Sequence, residues 1–335
     1  MLNQTELERL QRQLRPFSTV ARQLSAEEQK WRQYYGLVLP GTAHLGRLEV
    51  GQFQVATQLL LPENTPKATL IVLHGYYDHM GLYGHIYRWA LAKGFAVLSC
   101  DLPGHGLSTG PRASIDDFSD YTAVLLSLLE QAQQLQLPTP IHLLGQSTGG
   151  AIITDYLLRR RPKHLPLGEI ILLAPLVRPW AWAQSQALYH LLKPFVAAIK
   201  RAPSDNSTDA AFLEFIKHDP LQATTLPVAW VTAMRNWIAV IHKAKKAGFR
   251  PIVVQGQQDK TVDWRYNLNF LSKKFTSLRV LYLPEARHHL VNESVDLRQQ
   301  MLAFIDECLS VSALAHNPLL DQLPPQSTTP TEAVS

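Results

Sequence analysis

Short apolar runs punctuate the chain from residue 68 onward, at 68–73, 95–100, 141–144, 169–174, 251–255 and 278–283. Each is too short for a helix and is bounded by polar or turn-forming residues, the pattern of strands buried on both faces. Helix-like segments lie between them, at 83–93, 117–134, 151–161 and within 226–247. That alternation predicts a mostly parallel sheet with helices on both faces. Upstream, 45–50 and 53–59 alternate apolar and polar residues around Gly51, which predicts an antiparallel hairpin and brings the strand total to eight. Ligands of such sheets sit at the carboxyl ends of the strands.

Three regions depart from this rhythm. Residues 1–35 read as a helical extension: Thr5 and Glu8 fit a capping box, Leu7, Leu10 and Leu14 recur until Pro16, and Ser25 and Glu28 fit a second box before Trp31 and Tyr34. Its amphipathic face is expected to dock on the core. Between the strands ending at 174 and starting at 251 lies far more chain than a crossover needs. Residues 219–247 can supply the crossover, so 177–218 are surplus. They carry Trp180, Trp182, Tyr189, Phe195 and Ile199, with Lys193, Lys200 and Arg201 interspersed, and are expected to form a helical cap or lid. Beyond 311 the Pro, Ser and Thr content rises, and 311–335 is expected to be a disordered tail. The core then comprises 36–176 and 219–310.

Composition narrows the function. The 335 residues are 46% hydrophobic and 18% charged, with a formal charge of +5, and show no dense Lys/Arg run, so a nucleic-acid partner is not expected. Cys100 and Cys308 form no disulfide framework, which favours a reducing, cytoplasmic setting. The N-terminus lacks a secretory pattern and no stretch nears the ~20 apolar residues of a membrane span. The expectation is a soluble protein that at most lies on a membrane surface.

Chemistry enters at Ile141-His-Leu-Leu-Gly145-Gln-Ser147-Thr-Gly149-Gly150. A strand, a glycine-flanked serine and a helix form the nucleophile-elbow pattern, in which the hydroxyl stands clear of the sheet. A serine hydroxyl needs a base, and the base an orienting acid. After the strand 251–255 comes Gly256-Gln-Gln-Asp259-Lys-Thr-Val262, and after 278–283 comes Pro284-Glu-Ala-Arg-His288-His289. Asp259 is preferred over Asp263, which is placed to cap the next helix. His288 and His289 are not separated by this logic, since neighbours on an extended segment point opposite ways. For the oxyanion, the N–H of Thr148 at the helix start and that of Tyr76, after His74-Gly75, are the candidate donors. His74, His79, His105 and His288 belong to different loops without metal-ligand spacing, so neither metal nor other cofactor is expected.

Together, His74-Gly-Tyr-Tyr-Asp-His79-Met-Gly-Leu-Tyr83, Asp101-Leu-Pro-Gly104-His105-Gly106-Leu-Ser108, Gly145-Gln-Ser147-Thr-Gly149, Gly256-x-x-Asp259-x-x-Val262 and Ala286-Arg-His288 resemble the α/β-hydrolases of the monoacylglycerol lipase and lysophospholipase type, the serine aminopeptidase S33 group. The resemblance spans about 35–309. It implies Ser147, Asp259 and His288 as triad, chooses His288 over His289, and implies Tyr76 and Thr148 as oxyanion donors and a helical cap after the sixth strand. Departures are Leu82 where the family often has Arg, His289 for Glu, and Gln146 for a frequent His. Gly104-His105-Gly106 reads as a loop brace. The expected activity is hydrolysis of esters with an apolar acyl chain, a small-molecule lipid or ester substrate, with Trp180, Trp182, Tyr189 and Phe195 as an acyl-binding wall and basic cap residues meeting anionic membrane. Two alternatives stand beside it: an aminopeptidase using Asp205, Asp209 and Glu214 to hold an ammonium, and a binding protein without turnover. Oligomeric state is not legible.

Overall fold

The computed structural model describes residues 2–160, 166–201 and 205–315. Helices α1 (Gln4–Gln13) and α2 (Ala26–Tyr34) precede a hairpin of β1 (Thr42–Val50) and β2 (Phe53–Leu61), with Val50 opposite Phe53. Then come β3 (Ala68–Leu73), a tight 3-10 turn at Met80–Tyr83, α3 (Gly84–Ala92), β4 (Phe95–Cys100), α4 (Ser119–Gln134), β5 (Ile141–Gln146), α5 (Thr148–Asp155) and β6 (Leu167–Leu173). The insertion supplies α6 (Trp182–Leu192), β7 (Ala198–Lys200), α7 (Ala210–Lys217) and β8 (Thr225–Pro227). The chain returns through α8 (Val228–Lys243), β9 (Ile252–Gly256), α9 (Trp264–Lys274), β10 (Arg279–Leu283) and α10 (Val295–Ala315).

Eight strands form one sheet in the order β1-β2-β4-β3-β5-β6-β9-β10. From β4 to β10 the neighbours pair in parallel, while β2 is antiparallel to both β1 and β4. Every residue of β3, β4 and β5 is buried, as their unbroken apolar runs require. Side chains alternate between two cores. Ile71, Leu73, Leu98 and Leu143 meet the helices α4, α5, α8 and α9, whereas Leu70, Val72, Val97 and Leu144 meet α3 and α10. Each large aliphatic side chain so buried contributes roughly 1.5–3 kcal/mol over leaving it in water.

The N-terminal extension docks on the second core through Leu7, Leu10 and Trp31. Its first cap differs from the sequence expectation: Asn3, not Thr5, accepts from the Glu6 amide, and Glu6 returns the bond to the Asn3 amide. Ser25 caps α2 as expected, but the Glu28 carboxylate turns to Arg22 and Arg32 instead of back to the cap. The insertion is not purely helical. β7 pairs with β8, so the inserted region closes on itself past residue 218, inside the span assigned to the core. At the other end α10 continues to Ala315, past the expected start of the tail at 311; the remainder of that tail, 316–335, lies outside the described residues. No helix among the described residues is long and apolar enough to cross a membrane.

Candidate active site

Ser147 stands between β5 and α5 at φ 52, ψ −110, a conformation that non-glycine residues occupy only when the surroundings enforce it. The enforcement is visible. Its amide donates to Leu173 O at 2.8 Å, and its carbonyl accepts from Ala151 and Leu176. Strand and helix must nearly touch for this turn: a Cβ on Gly145 would lie 2.4 Å from the Gly149 backbone, and one on Gly149 would lie 2.2 Å from Leu73 O. Only glycine permits that approach.

The structure brings Ser147, His288 and Asp259 together from the ends of β5, β10 and β9. His288 Nε2 lies 2.9 Å from Ser147 Oγ, and its Nδ1 lies 2.7 Å from Asp259 Oδ2. All three are buried. Burial works against the His288 imidazolium, but the Asp259 charge and hydrogen bond outweigh it and raise the histidine pKa. Burial likewise works against the Asp259 carboxylate. The His288 charge, the His288 hydrogen bond and the Val262 and Thr261 amides prevail and hold its pKa down. Asp263 goes elsewhere: it caps α9 at the Tyr266 amide and pairs with Arg178 at 2.6 Å.

Thr148 begins α5, so its N–H has no acceptor within the helix. The loop after β3 runs close by, with the Gly75 backbone near enough that a Cβ there would sit 3.4 Å from Ser147 Cβ. Tyr76 is fixed in that loop by its hydroxyl on Ala113 O at 2.7 Å and by stacking on Trp230, with ring centroids 3.7 Å apart. His74 and the loop 101–108 brace it from below. Leu102 N donates to His74 Nε2, and Asp101 accepts from the amides of Met80 and Leu107. Burial pushes the His105 imidazole down to about 3, and its Nδ1 bonds the Pro103 carbonyl. Among the described residues no group of three His, Cys, Asp or Glu side chains is arranged to hold a metal ion.

His289 turns away from Ser147. Its Nε2 lies 3.0 Å from Asp78 Oδ1, while Asp78 Oδ2 accepts from the Tyr83 hydroxyl and the Gly75 amide. This second carboxylate–imidazole pair joins the loop of His288 to the loop of Tyr76. Sequence reasoning missed Asp78. It noted Gln146 only as a departure and gave no role to its side chain, which donates to His288 O at 2.8 Å, and it missed Gln255, which donates to Asp259 Oδ2, and Trp230. Asp78 had a usable signal, four residues past His74 in a loop already suspected of chemistry. Gln255 and Trp230 sit in a strand and a helix that looked merely structural.

The cap residues are not gathered into one wall. Trp180 and Trp182 line a surface depression of about 380 Å3 with Arg178 and Asp263. Tyr189 packs on α8, with its hydroxyl 2.9 Å from Thr232 Oγ1 and its ring under Arg235, and Phe195 is 81% exposed. With Tyr189 anchored inward, α6 turns Leu188 and Leu191 to solvent. The cavity that reaches His288, about 560 Å3, is lined by polar residues instead, among them Asp205, Gln258, Lys260, Glu285 and Arg287.

The family model described as serine aminopeptidase, S33, matches residues 64–295. Monoglyceride lipase of Homo sapiens is 27% identical over 246 residues, covering 70% of this chain and 79% of that protein. The crystal structure of a soluble variant of monoglyceride lipase from Saccharomyces cerevisiae in complex with a substrate analog superposes with a TM-score of 0.67 at 18% identity, covering 82% of this chain and 96% of that one. A thermostable carboxyl esterase from Bacillus coagulans, in complex with glycerol, gives 0.66 at 17% identity, with 81% and 99% covered. At that identity the two structures show the shared fold alone.

Proposed function

This chain belongs to the serine aminopeptidase S33 family of α/β-hydrolases and is a serine ester hydrolase, and from that membership we propose that Ser147, His288 and Asp259 form its triad and that it cleaves esters of apolar acyl chains, monoacylglycerols or lysophospholipids being the favoured class. The observation that carries the triad is the relay of Ser147 Oγ, His288 and Asp259 at 2.9 and 2.7 Å on a strained elbow. Ser147 Oγ attacks the carbonyl carbon as its proton passes to His288 Nε2. Asp259 keeps the His288 proton on Nδ1 and balances the imidazolium. The Tyr76 and Thr148 amides receive the oxyanion; one such donor is worth ~2.7–4 kcal/mol of transition-state stabilisation. His288 returns the proton to the departing alcohol, and water, activated by the same imidazole, frees the acyl group from Ser147.

The acyl side of the site is assigned to Tyr76 and Trp230, whose stacked rings flank the oxyanion loop. Of the four cap residues named from sequence, Phe195 fits a different task. Leu188, Leu191 and Phe195 project from the cap beside Lys193, a pattern suited to resting on an anionic lipid surface that presents the substrate. The aminopeptidase alternative needs a free carboxylate for the substrate ammonium. Asp205 is paired with Arg287, Asp209 caps α7, and Glu214 pairs with Lys217 at the surface. A panel of p-nitrophenyl esters of graded chain length, aminoacyl anilides and monoacylglycerol, run with and without anionic vesicles, tests the assignment. Hydrolysis of medium and long esters with no anilide turnover is expected, and preferential anilide cleavage overturns it.

A further inference from the structure

The N-terminal helices lie outside the stretch matched by the family model, yet one of their side chains reaches the base of the cap. Tyr35, directly after α2, donates its hydroxyl proton to Asp219 Oδ1 at 2.6 Å. Asp219 is where the cap chain turns back toward the core. Its other oxygen lies 2.8 Å from His79 Nε2, and the His79 Nδ1 accepts from the Gly81 amide, so the neutral ring carries its proton on Nε2 and donates to Asp219. All three side chains are buried.

The same turn grips the oxyanion loop a second time. Gln222 Nε2 donates to the Tyr77 carbonyl at 3.0 Å, and Arg201, bonded to Gln222 Oε1, lies over the Tyr77 ring at 4.0 Å. One route of hydrogen bonds thus runs from α2 through Asp219 to both ends of the segment 77–79, adjoining Tyr76. A buried carboxylate with this many donors has one geometry, and the hydroxyl of Tyr35 completes it. Tyr34 adds an aromatic contact to Phe215 of α7, with centroids 5.3 Å apart.

We propose that Tyr35 is a positioning residue for ester hydrolysis: its hydroxyl locks the Asp219 turn of the cap onto the loop that presents the Tyr76 amide, so that the N-terminal extension sets the oxyanion site. The activity part rests on the reading of Ser147 and Tyr76 given above. A merely structural tyrosine would contribute stability without favouring any step of the reaction.

The test is Tyr35→Phe in the full chain, with Trp31→Phe as a packing control on the same helix. In Tyr35→Phe, amide exchange at 75–79 and 219–222 should accelerate about tenfold or more, the effect of removing one hydrogen bond to a buried charge. The kcat on a short ester should fall about tenfold with KM unchanged, since a displaced oxyanion donor is felt in the transition state. Trp31→Phe should lower the melting temperature while keeping kcat. Unchanged exchange at both segments in Tyr35→Phe overturns the lock, and so does a kcat loss that Trp31→Phe reproduces in proportion to its lost stability. If exchange accelerates but a fluorophosphonate fails to label Ser147 in the parent protein, the lock stands and the catalytic reading falls.

Discussion

His288 and His289 are adjacent, both buried, and each bonded to a buried aspartate, yet their geometries assign them different work. His288 gives Nδ1 to Asp259 and leaves Nε2 facing a hydroxyl. His289 gives Nε2 to Asp78 and leaves Nδ1 without a hydrogen-bond partner among the described residues. A carboxylate–imidazole pair is therefore no signature of catalysis by itself. What matters is which nitrogen remains and what it faces, because only a nitrogen aimed at a proton donor can act as base. The first pair suits proton transfer, and the second ties the loop of Tyr76 to the loop of His288.

The sharpest break in this comparison comes from the first pair. Ser147→Ala is expected to lower kcat/KM on a p-nitrophenyl ester by about 10⁴-fold or more, and Asp259→Asn by roughly 10³–10⁴-fold through loss of the productive tautomer. Steady-state kinetics with active-site titration measures both. Retention of a tenth of the parent activity in either variant would remove the distinction between the two pairs.

Conservative replacement then separates the two histidines. Glutamine at 289 can still donate to Asp78, so His289→Gln should keep kcat within about threefold, while His289→Leu should cost about 10- to 100-fold by loosening the loop that carries Tyr76, the proposed oxyanion donor. At 288 no such rescue exists: His288→Gln and His288→Leu should be equally inactive, since an amide does not shuttle protons. Equal damage from both substitutions at 289 would show that it too transfers protons.

A smaller effect follows from charge. With His288 as the proposed base, its raised pKa should place the acid limb of kcat/KM above the ordinary imidazole value, because the base must be neutral to take the serine proton. Below that pKa, activity falls about tenfold per pH unit. Asp78 adds to the same upward push, so Asp78→Asn should move the limb to lower pH, a shift that a pH series of kcat/KM resolves. The linkage to folding has the same origin. The raised His288 pKa stabilises the fold at acid pH, and that contribution is lost as pH rises through the folded value.

The fold was legible because burial on both faces of a parallel sheet leaves unbroken apolar runs such as 68–73 and 95–100, and both became strands. The meeting of Ser147 with His288 and Asp259 was legible because each follows a strand, and parallel strands carry their ends to one edge. Asp78 and Gln255 were opaque for the opposite reason. Their partners lie in other loops, and hydrogen bonds across loops leave no period in the sequence. The cap misled because aromatic residues in an insertion read as a wall around substrate. Tyr189 instead spends its ring on α8 and leaves Phe195 to solvent. α7 and the β7–β8 ribbon are short, and elements of that size carry too few residues for a pattern to emerge.

His105 supplies the control that both pairs need, a buried histidine beside the site whose hydrogen bond goes to a carbonyl and not to a carboxylate. Burial, reinforced by the His74 and Arg112 charges, outweighs the Pro103 carbonyl and the weaker pull of Asp78 and drives its pKa to about 3. Near neutral pH it is therefore neutral, and its protonation is not expected to take part in turnover. His105→Gln should change kcat by less than about threefold and leave the acid limb in place. Its signature belongs to stability. As pH falls from about 6.5 toward 3, the unfolded chain binds a proton at residue 105 that the folded chain refuses, so the native state loses on the order of a few kcal/mol. The glutamine variant lacks that loss, and its melting temperature should fall less steeply across this range than that of the parent. A parallel decline would mean that the ring gains a charge partner on acidification, and the division between paired and unpaired histidines would have to be redrawn.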